Sequence, residues 1–247
     1  MGNIRSYKKI LACLSGIILF SHNINGQSVD EIVKRYEQAM GGREKISSLK
    51  SIIMEGTFRW ENFNLPLKAS LLNNVGQRYD LTILKTSGFI ILTQKGGWEY
   101  LPFQGMKKPE PMNPSEVQTY SVYMDLQGFL IDYKKKGYSI VYDGLENIDD
   151  VPCYKLSIKT PAAGNEMISY LDTSSCYIVR TKIPTQVNGK DSFFEVSYSN
   201  FQTTPEGYIL PYAFTLGPGT AFVSKVVINQ EIDLSVFDPV VENQKQQ

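Results

Sequence analysis

A single long segment interrupts an otherwise strand-like sequence, and this interruption limits most strongly which folds the chain can adopt. Short runs of alternating apolar and polar residues lie on both sides of residues 98–136, which Gly97 and Gly137 flank. Strand-turn-strand series of this kind predict an antiparallel meander. We call residues 98–136 the insert, and we expect the rest of the chain to form one sheet around it.

The insert is predicted to contain a loop followed by helical structure. Met106–Pro114 is polar and rich in proline, which argues against a strand there. Asn113 can cap a helix that starts at Pro114, and Phe129–Tyr133 is predicted to form a further helical turn. Because an amphipathic helix is stabilised mainly by the surface it buries, we expect residues 113–133 to lie on the concave side of the sheet.

The first 26 residues have the pattern of an export signal. Basic residues precede an apolar core, Ile10–Phe20, and a short polar exit ends at Gly26. The basic residues are Arg5, Lys8 and Lys9. A core of about eleven residues is too short to span a bilayer, which needs roughly twenty. We therefore predict a signal peptide over residues 1–26, cleavage near Gly26 and a periplasmic protein. A retained anchor and lipid modification of Cys13 are the alternatives.

Charge and histidine content exclude several classes of function. The whole chain has 25 basic and 25 acidic residues; the signal contains three of the basic ones, so 22 basic and 25 acidic residues follow it. This balance argues against nucleic acid as a partner. The single histidine, His22, also lies in the signal. Catalysis by Ser-His or Cys-His pairs and metal binding by histidine are therefore not expected. We predict a protein without enzymatic activity, cofactor or metal.

Two charged groups are predicted to be solvated surface and not functional sites. Glu146, Asp149 and Asp150 lie in a polar hairpin connection, which is typical of a turn rather than of paired catalytic carboxylates. Lys134–Lys136 is predicted to be a solvated face, with contact to anionic lipid or an acidic partner as the alternative.

Residues 27–241 are predicted to form one domain, with a disordered tail over 242–247. The domain opens with a helix, because Ser28 and Glu31 have capping-box spacing and Gly41-Gly42 ends the apolar periodicity. About eleven strands follow. A meander this long tends to curl, so the fold class is mainly β: an unclosed, strongly curved antiparallel half-barrel whose concave face is covered by helices. Phe89–Leu92 is apolar on both faces, and we expect the insert to cover it.

The two remaining cysteines, Cys153 and Cys176, leave two alternatives. An even pair in an exported protein suggests a disulfide. If they lie on strands separated by a third strand, however, they are about 9.6 Å apart, and a disulfide needs Cα atoms within about 7 Å. Two buried thiols are the alternative.

A half-barrel with helices on its concave side leaves space for an apolar ligand. Most of the candidates to line this space are aromatic side chains, although core packing is the ordinary role of such residues. The candidate ligand-binding residues are Trp60, Trp98, Phe103, Tyr120, Met124, Phe129, Tyr170, Phe194 and Tyr212.

Six stretches, taken in order, resemble the periplasmic outer-membrane lipoprotein-sorting proteins of the LolA-like superfamily. They are YEQAMGGREKISSLKSIIMEGTF (36–58), GWEYLPFQG (97–105), CYKLSIKT (153–160), YLDTSSCYIVR (170–180), YSNFQTTPEGYILPYAF (198–214) and DLSVFDP (233–239). The resemblance implies a curved open sheet, helices on its concave face and an apolar cavity between them. It also implies acyl chains of lipoproteins, or lipid, as partners, together with proteins of the inner and outer membranes. No motif identifies the arginine that holds the lid of such carriers among Arg43, Arg59, Arg78 and Arg180.

The sequence thus supports two main hypotheses from different classes. The first is a periplasmic carrier or chaperone that binds an acyl chain or other apolar ligand. The second is an envelope interaction or sensor module with a filled core. A lipid- or glycan-processing enzyme is a third, disfavoured by the missing histidine. If the insert covers a ligand, its segment 105–137 is expected to be less firmly held than the strands.

Overall fold

A computed structural model describes residues 28–161, 166–187 and 189–240, and within them thirteen strands form one antiparallel sheet. The strands are β1 (Ser51–Trp60), β2 (Phe63–Leu72), β3 (Gly76–Ile83), β4 (Thr86–Thr93), β5 (Gly96–Tyr100), β6 (Glu110–Pro111), β7 (Ser139–Ile148), β8 (Val151–Lys159), β9 (Glu166–Asp172), β10 (Ile178–Val187), β11 (Lys190–Thr203), β12 (Ile209–Leu216) and β13 (Gly219–Ile228). The predicted single antiparallel sheet is confirmed.

The order of the strands shows how the chain uses the two edges of the sheet. From β1 the chain runs outward strand by strand to β6 at one edge. Residues 112–138 then lead to β7 at the other edge, and the chain returns to β13, which pairs with β1 from Ile52↔Ile228 to Trp60↔Gly219. We call residues 112–138 the bridging segment, since they join the two open edges.

The sheet is strongly curved, as contacts of one short helix show. Helix α3 (Pro114–Ser121) contacts β4 and β5 near one edge and also β10 on the far side. Seven strand spacings separate β4 from β10 in the sheet order, about 34 Å if the sheet were flat. An eight-residue helix is only about 12 Å long. The sheet therefore curls around α3, whose side we call the concave face; the opposite side is the convex face.

The N-terminal helices form as the sequence predicts. Helix α1 (Val29–Ala39) begins with the expected capping box, in which Ser28 accepts a hydrogen bond from the Glu31 amide and the Glu31 carboxylate accepts one from the Ser28 amide. The helix ends at the predicted glycines, where Gly41 and Gly42 have φ near +90°. The short helix α2 (Arg43–Ser47) follows and leads into β1.

The insert differs from the prediction in two places. Strand β5 runs into its first residues, and Glu110–Pro111 pairs with β5 as β6, although a loop was predicted over Met106–Pro114. Proline is tolerated there because β6 is an edge strand. The predicted helix over 113–133 is wrong beyond Met124: α3 gives way to a 3-10 turn at Val122–Met124, and residues 129–137 form bends and turns. Gly128 in the left-handed region breaks the helical path.

The convex face of β3 and β4 is covered by the C-terminal segment and not by the insert. Phe89 and Ile91 form a buried cluster with Ile232 and Phe237, which flank or end the 3-10 turn Leu234–Phe237. The Phe237 ring lies directly over Gly76, where an added Cβ would be 2.8 Å from the ring. Residues 89–92 are thus apolar on both faces because the insert covers one face and the chain end covers the other.

Cys153 and Cys176 are both buried and neither forms a disulfide. Cys153 lies on β8 as predicted, but Cys176 lies in the turn that precedes β10. The alternative of two buried thiols is confirmed.

The predicted signal peptide (1–26) and C-terminal tail (242–247) lie outside the described residues. Within residues 28–161, 166–187 and 189–240, no helix combines the length and the apolar character needed to cross a membrane.

Candidate functional site

One half of the concave face is a packed core. Helix α1 and residues 129–131 lie over β7–β10, and the side chains between them are almost completely buried. The most buried of them are Ile32, Leu130, Ile131, Leu156, Ile158, Met167 and Leu171. Arg35 fixes α1 to the sheet by donating to the Tyr154 hydroxyl at 2.5 Å and to the Thr173 carbonyl at 2.8 Å. This half has little room for a ligand.

The other half, formed by β1–β3 and β11–β13, has a smaller buried cluster that includes Ile52, Leu71 and Ile228, and is packed less completely beyond it. Its concave positions follow from the strand register, in which Met54 pairs with Ala69 and Val226. Several apolar side chains at these positions are only half-buried: Met54, Phe58, Leu67, Leu81, Ile83, Phe214, Leu216 and Val223. In the described part of these six strands, Lys190 at a hairpin tip is the one charged residue at a concave position. The surface is suited to an apolar ligand.

Helix α3 lies across this half and links the two sides of the curved sheet. Asn113 caps it by accepting a hydrogen bond from the Ser115 amide at 2.9 Å. Near its start, Met112 and Val117 lie against Gly97 of β5, where a Cβ atom would be 2.5 Å from the Met112 sulfur. On the far side, the Tyr120 ring packs edge-on against Phe194 of β11, with 4.8 Å between centroids. The absence of a side chain at Gly97 is thus what lets the start of α3 lie so close to the sheet.

The bridging segment is held firmly after α3. The Met124 carbonyl accepts a hydrogen bond from the Asn74 amide, and the Leu126 amide donates to the Asn73 side chain, both at 2.8 Å. Lys136 forms an ion pair with Asp125 at 2.5 Å. Together with the buried residues 129–131, these contacts fix 123–137 to the sheet. Most residues of α3 itself are exposed, so the part of the insert free to move is narrower than the expected 105–137.

A chain of uncharged polar side chains crosses the interior beneath the bridging segment. Gln77 of β3, which is 3% exposed, accepts a hydrogen bond from the Tyr79 hydroxyl at 3.1 Å and donates to the Tyr123 carbonyl. On the other side of the concave face, Tyr198 of β11 lies next to Tyr123 and Thr181.

Burial dominates the electrostatics of this group. It raises the pKa of Tyr198 to about 12, with smaller opposing effects from the nearby hydroxyls of Tyr123 and Thr181. Burial also raises the pKa values of Tyr36, Tyr79 and Tyr123 well above the usual range, and the neighbouring Tyr198 adds to each shift. All four phenols are therefore neutral at physiological pH.

The structure places the nine candidate ligand-binding residues in two groups. Trp60, Phe194 and Tyr212 lie at concave strand positions, and Phe103, Tyr120, Met124 and Phe129 belong to the segment that covers this face. Trp98 and Tyr170 instead lie on the convex face. Trp98 pairs with Ile91, and the Tyr170 hydroxyl donates to Glu146 within a cluster that contains Cys153.

The neutral polar cluster was not predicted from the sequence. Tyr79 belongs to a recognised alternation with Leu81 and Ile83, and Gln77 extends the same alternation by one step. The one sequence signal for this cluster was therefore a polar residue, Gln77, at a position where the alternation predicts a core residue. Tyr123 and Tyr198 meet only through the curvature of the sheet, which no local pattern shows.

A second groove lies on the convex face, between β1–β4 and the C-terminal segment. Its volume is about 1260 Å³, and its walls carry charges of both signs, including Glu55, Lys68, Arg78, Asp80 and Asp238. The Arg78 guanidinium pairs with Asp80 at 2.8 Å. A wall of this composition does not suit an acyl chain. Among the described residues, no group of three or more His, Cys, Asp or Glu side chains is arranged to hold a metal ion.

Comparison with solved structures identifies the fold. A LolA superfamily protein from Nitrosomonas europaea matches with a TM-score of 0.54 at 12% identity, over 85% of this chain and 97% of that one. A domain named for outer membrane lipoprotein sorting, from Vibrio parahaemolyticus, matches with a TM-score of 0.53 at 10% identity over the same shares. No family model and no curated protein sequence matches the chain. The chain therefore has the LolA-like fold, as the sequence resemblance implies, in a strongly diverged sequence.

Proposed function

We propose that this protein is a periplasmic carrier that holds an acyl chain or another apolar ligand between the open half of the concave face and helix α3. The observation that carries the proposal is the difference between the two halves of one face. The half under α1 is packed to near-complete burial, whereas apolar side chains such as Leu67, Leu81 and Phe214 are left half-buried beneath α3. An apolar surface that no side chain fills is costly unless a ligand covers it.

The proposed cargo is a lipoprotein acyl chain or a lipid on its way to the outer membrane. The LolA-like fold supports this reading, since one of its solved members is named for lipoprotein sorting. The role of the concave candidates Trp60, Tyr120, Phe194 and Tyr212 as ligand contacts belongs to this proposal. Trp98 and Tyr170 are left out of it because they lie on the other face.

Burial of alkyl groups can supply the energy that binding needs. Each methylene group contributes about 0.8 kcal/mol, so a sixteen-carbon chain supplies on the order of 10 kcal/mol. This energy exceeds the contribution of the aromatic contacts that Tyr120 and Tyr123 make with Phe194, which is about 1–3 kcal/mol. A ligand can therefore displace α3 and still bind tightly.

A cavity-filling variant tests the proposal. Leu67 pairs with Gly56 and Leu81 at concave positions, so Leu67→Trp places a larger side chain in the open space. The matched control is Ser199→Trp, at an exposed position of β11 that pairs with Ala213. We expect native mass spectrometry to detect lipid bound to the wild-type protein and to Ser199→Trp, and far less bound to Leu67→Trp.

If native mass spectrometry showed only the ligand-free mass for all three proteins after incubation with lipid vesicles, the carrier proposal would be overturned. That result would favour an interaction module with a filled core. Equal lipid binding by Leu67→Trp and the control would place the ligand elsewhere.

A further inference from the structure

The Tyr123 side chain provides an unused hydrogen-bonding group inside the proposed ligand space. Its hydroxyl is fully buried and has no hydrogen-bond partner among the described residues. The Tyr198 phenol lies close by, but the Tyr123 hydroxyl makes no hydrogen bond to it that satisfies both distance and angle. A buried polar group without a partner costs about 1–3 kcal/mol, and such groups are rare in folded proteins. The orphan hydroxyl therefore points to a group that is supplied from outside the chain.

The surroundings of this hydroxyl are polar yet carry no free charge. Gln77 and Tyr79 lie on one side, and Tyr198 and Thr181 on the other, all uncharged. Ser169 continues the chain with its hydroxyl 3.3 Å from that of Thr181, and both residues are completely buried. These side chains form a strip of neutral donors and acceptors across an otherwise apolar face.

The charged groups around the Tyr123 side chain are either paired with each other or acidic. Lys136 is paired with Asp125, whose carboxylate is close enough to affect the Tyr36 phenol. At the opposite end of α3, burial raises the pKa of the Glu99 carboxyl, and Glu116 and Glu110 add to the shift by repulsion. A carboxylate or phosphate placed at Tyr123 would thus meet no unpaired cation among these neighbours. Burying an unpaired charge there is strongly unfavourable.

Resting on the proposed carrier function, we propose that Tyr123 donates a hydrogen bond to an ester carbonyl of the bound lipid, so that the cargo is an uncharged ester and not a free fatty acid. The ester carbonyl oxygen accepts the hydrogen bond that no protein group accepts from the Tyr123 hydroxyl. The alkyl chain then lies along the half-buried residues of β1–β3 and β11–β13. The same segment that covers the ligand thereby also recognises its polar group, because Tyr123 belongs to the bridging segment and its carbonyl is held by Gln77.

The test compares three probes with the same chain length: methyl laurate, laurate and dodecane. Binding of each is measured by displacement of an environment-sensitive fluorescent probe from the wild-type protein, from Tyr123→Phe and from a control, Tyr177→Phe. Tyr177 stacks on Phe201 away from this strip, with centroids 4.3 Å apart. For each probe, the dissociation constant of the variant is divided by that of the wild type. This ratio removes differences in the solubility of the probes.

We expect Tyr123→Phe to weaken the binding of methyl laurate about tenfold, which corresponds to the loss of one hydrogen bond. The binding of dodecane should change less than about twofold. Tyr177→Phe should change neither. In the absence of ligand, Tyr123→Phe should have a melting temperature equal to or above that of the wild type, because it removes an unpaired buried hydroxyl.

Two results would overturn this inference while leaving the carrier function intact. One is an equal effect of Tyr123→Phe on methyl laurate and dodecane; the other is tighter binding of the laurate anion than of its ester. A protein that binds none of the three probes would overturn the carrier function together with the inference.

Discussion

Substitution of Phe194 should release helix α3 without loosening the rest of the insert. Phe194 is one contact with the far side of the sheet: Tyr120 of α3 packs on it at 4.8 Å, and Tyr123 in the following 3-10 turn packs on it at 6.3 Å, both edge-on. Each aromatic pair contributes about 0.5–1.5 kcal/mol beyond the area it buries. Phe194→Ala therefore lowers the free energy of opening α3 by about 1–3 kcal/mol.

Hydrogen exchange measured by mass spectrometry converts this energy into a rate. With 1.4 kcal/mol for each factor of ten, amide exchange over residues 114–122 should rise about 5- to 150-fold in Phe194→Ala. Peptides that contain residues 129–131 should change less, because helix α1 and strands β7–β10 also bury these residues and Phe194 packs only as a partly buried neighbour of that core.

Phe201→Ala is the matched control, since Phe201 lies on the same strand but stacks on Tyr177. It removes the same side chain without touching α3. If both variants accelerated exchange of residues 114–122 equally, the change would reflect global destabilisation, and the account of how α3 is held would be refuted.

Three further predictions follow from the interior and the convex face. Gln77→Leu leaves the Tyr123 carbonyl and the Tyr79 hydroxyl unpaired, which costs about 1–3 kcal/mol; the melting temperature should fall by about 2–12 °C, while the exposed Gln118→Leu should leave it unchanged. Burial raises the pKa of Tyr198 to about 12 in the folded protein and also raises the pKa values of its buried neighbours Tyr36 and Tyr79. In the unfolded chain the pKa of tyrosine is near 10, so the unfolded chain loses these protons at a lower pH than the folded protein does. The free energy of unfolding should therefore be unchanged below about pH 10 and fall as the pH rises towards 12. Tyrosinate absorbance and circular dichroism measured together should show that these phenols ionise only when the protein unfolds. Ionisation of these phenols near pH 10 in a protein that is still folded would contradict their burial. Gly76→Ala places a Cβ atom 2.8 Å from the Phe237 ring and should destabilise the protein by about 1–3 kcal/mol in urea unfolding; an unchanged midpoint would show that the C-terminal segment is not fixed on β3.

Local sequence patterns were sufficient for much of the fold. The capping box at Ser28 and Glu31, the glycines that end α1 and the alternation from Ile52 to Trp60 each depend on neighbouring residues, and each is confirmed. The strand that was missed, β6, lies within the insert, in the segment predicted as a loop. Strand β6 has only two residues, one of them a proline, so it carries no periodic signal of its own.

The arrangement of the site depends on long-range contacts that local patterns do not contain. Trp98 and Tyr170 were assigned to the ligand face because of their residue type, but strand register places them on the convex face. Register is fixed by the pairing of whole strands, and a shift of one residue reverses the face. In the same way, Tyr79 and Tyr198 belong to strands five positions apart in the sheet and come together only through its curvature.

The most direct test of the central claim is to locate a bound acyl chain on the protein. A fatty acyl ester with a photoreactive diazirine near the end of its chain is bound to the purified protein, irradiated, and mapped by peptide mass spectrometry. The carrier account predicts labels on concave residues of β1–β3 and β11–β13 and on α3, for example at Leu81, Phe214 or Tyr120. Labels confined to the convex groove around Ser235–Val240, or spread evenly over the surface, would contradict it.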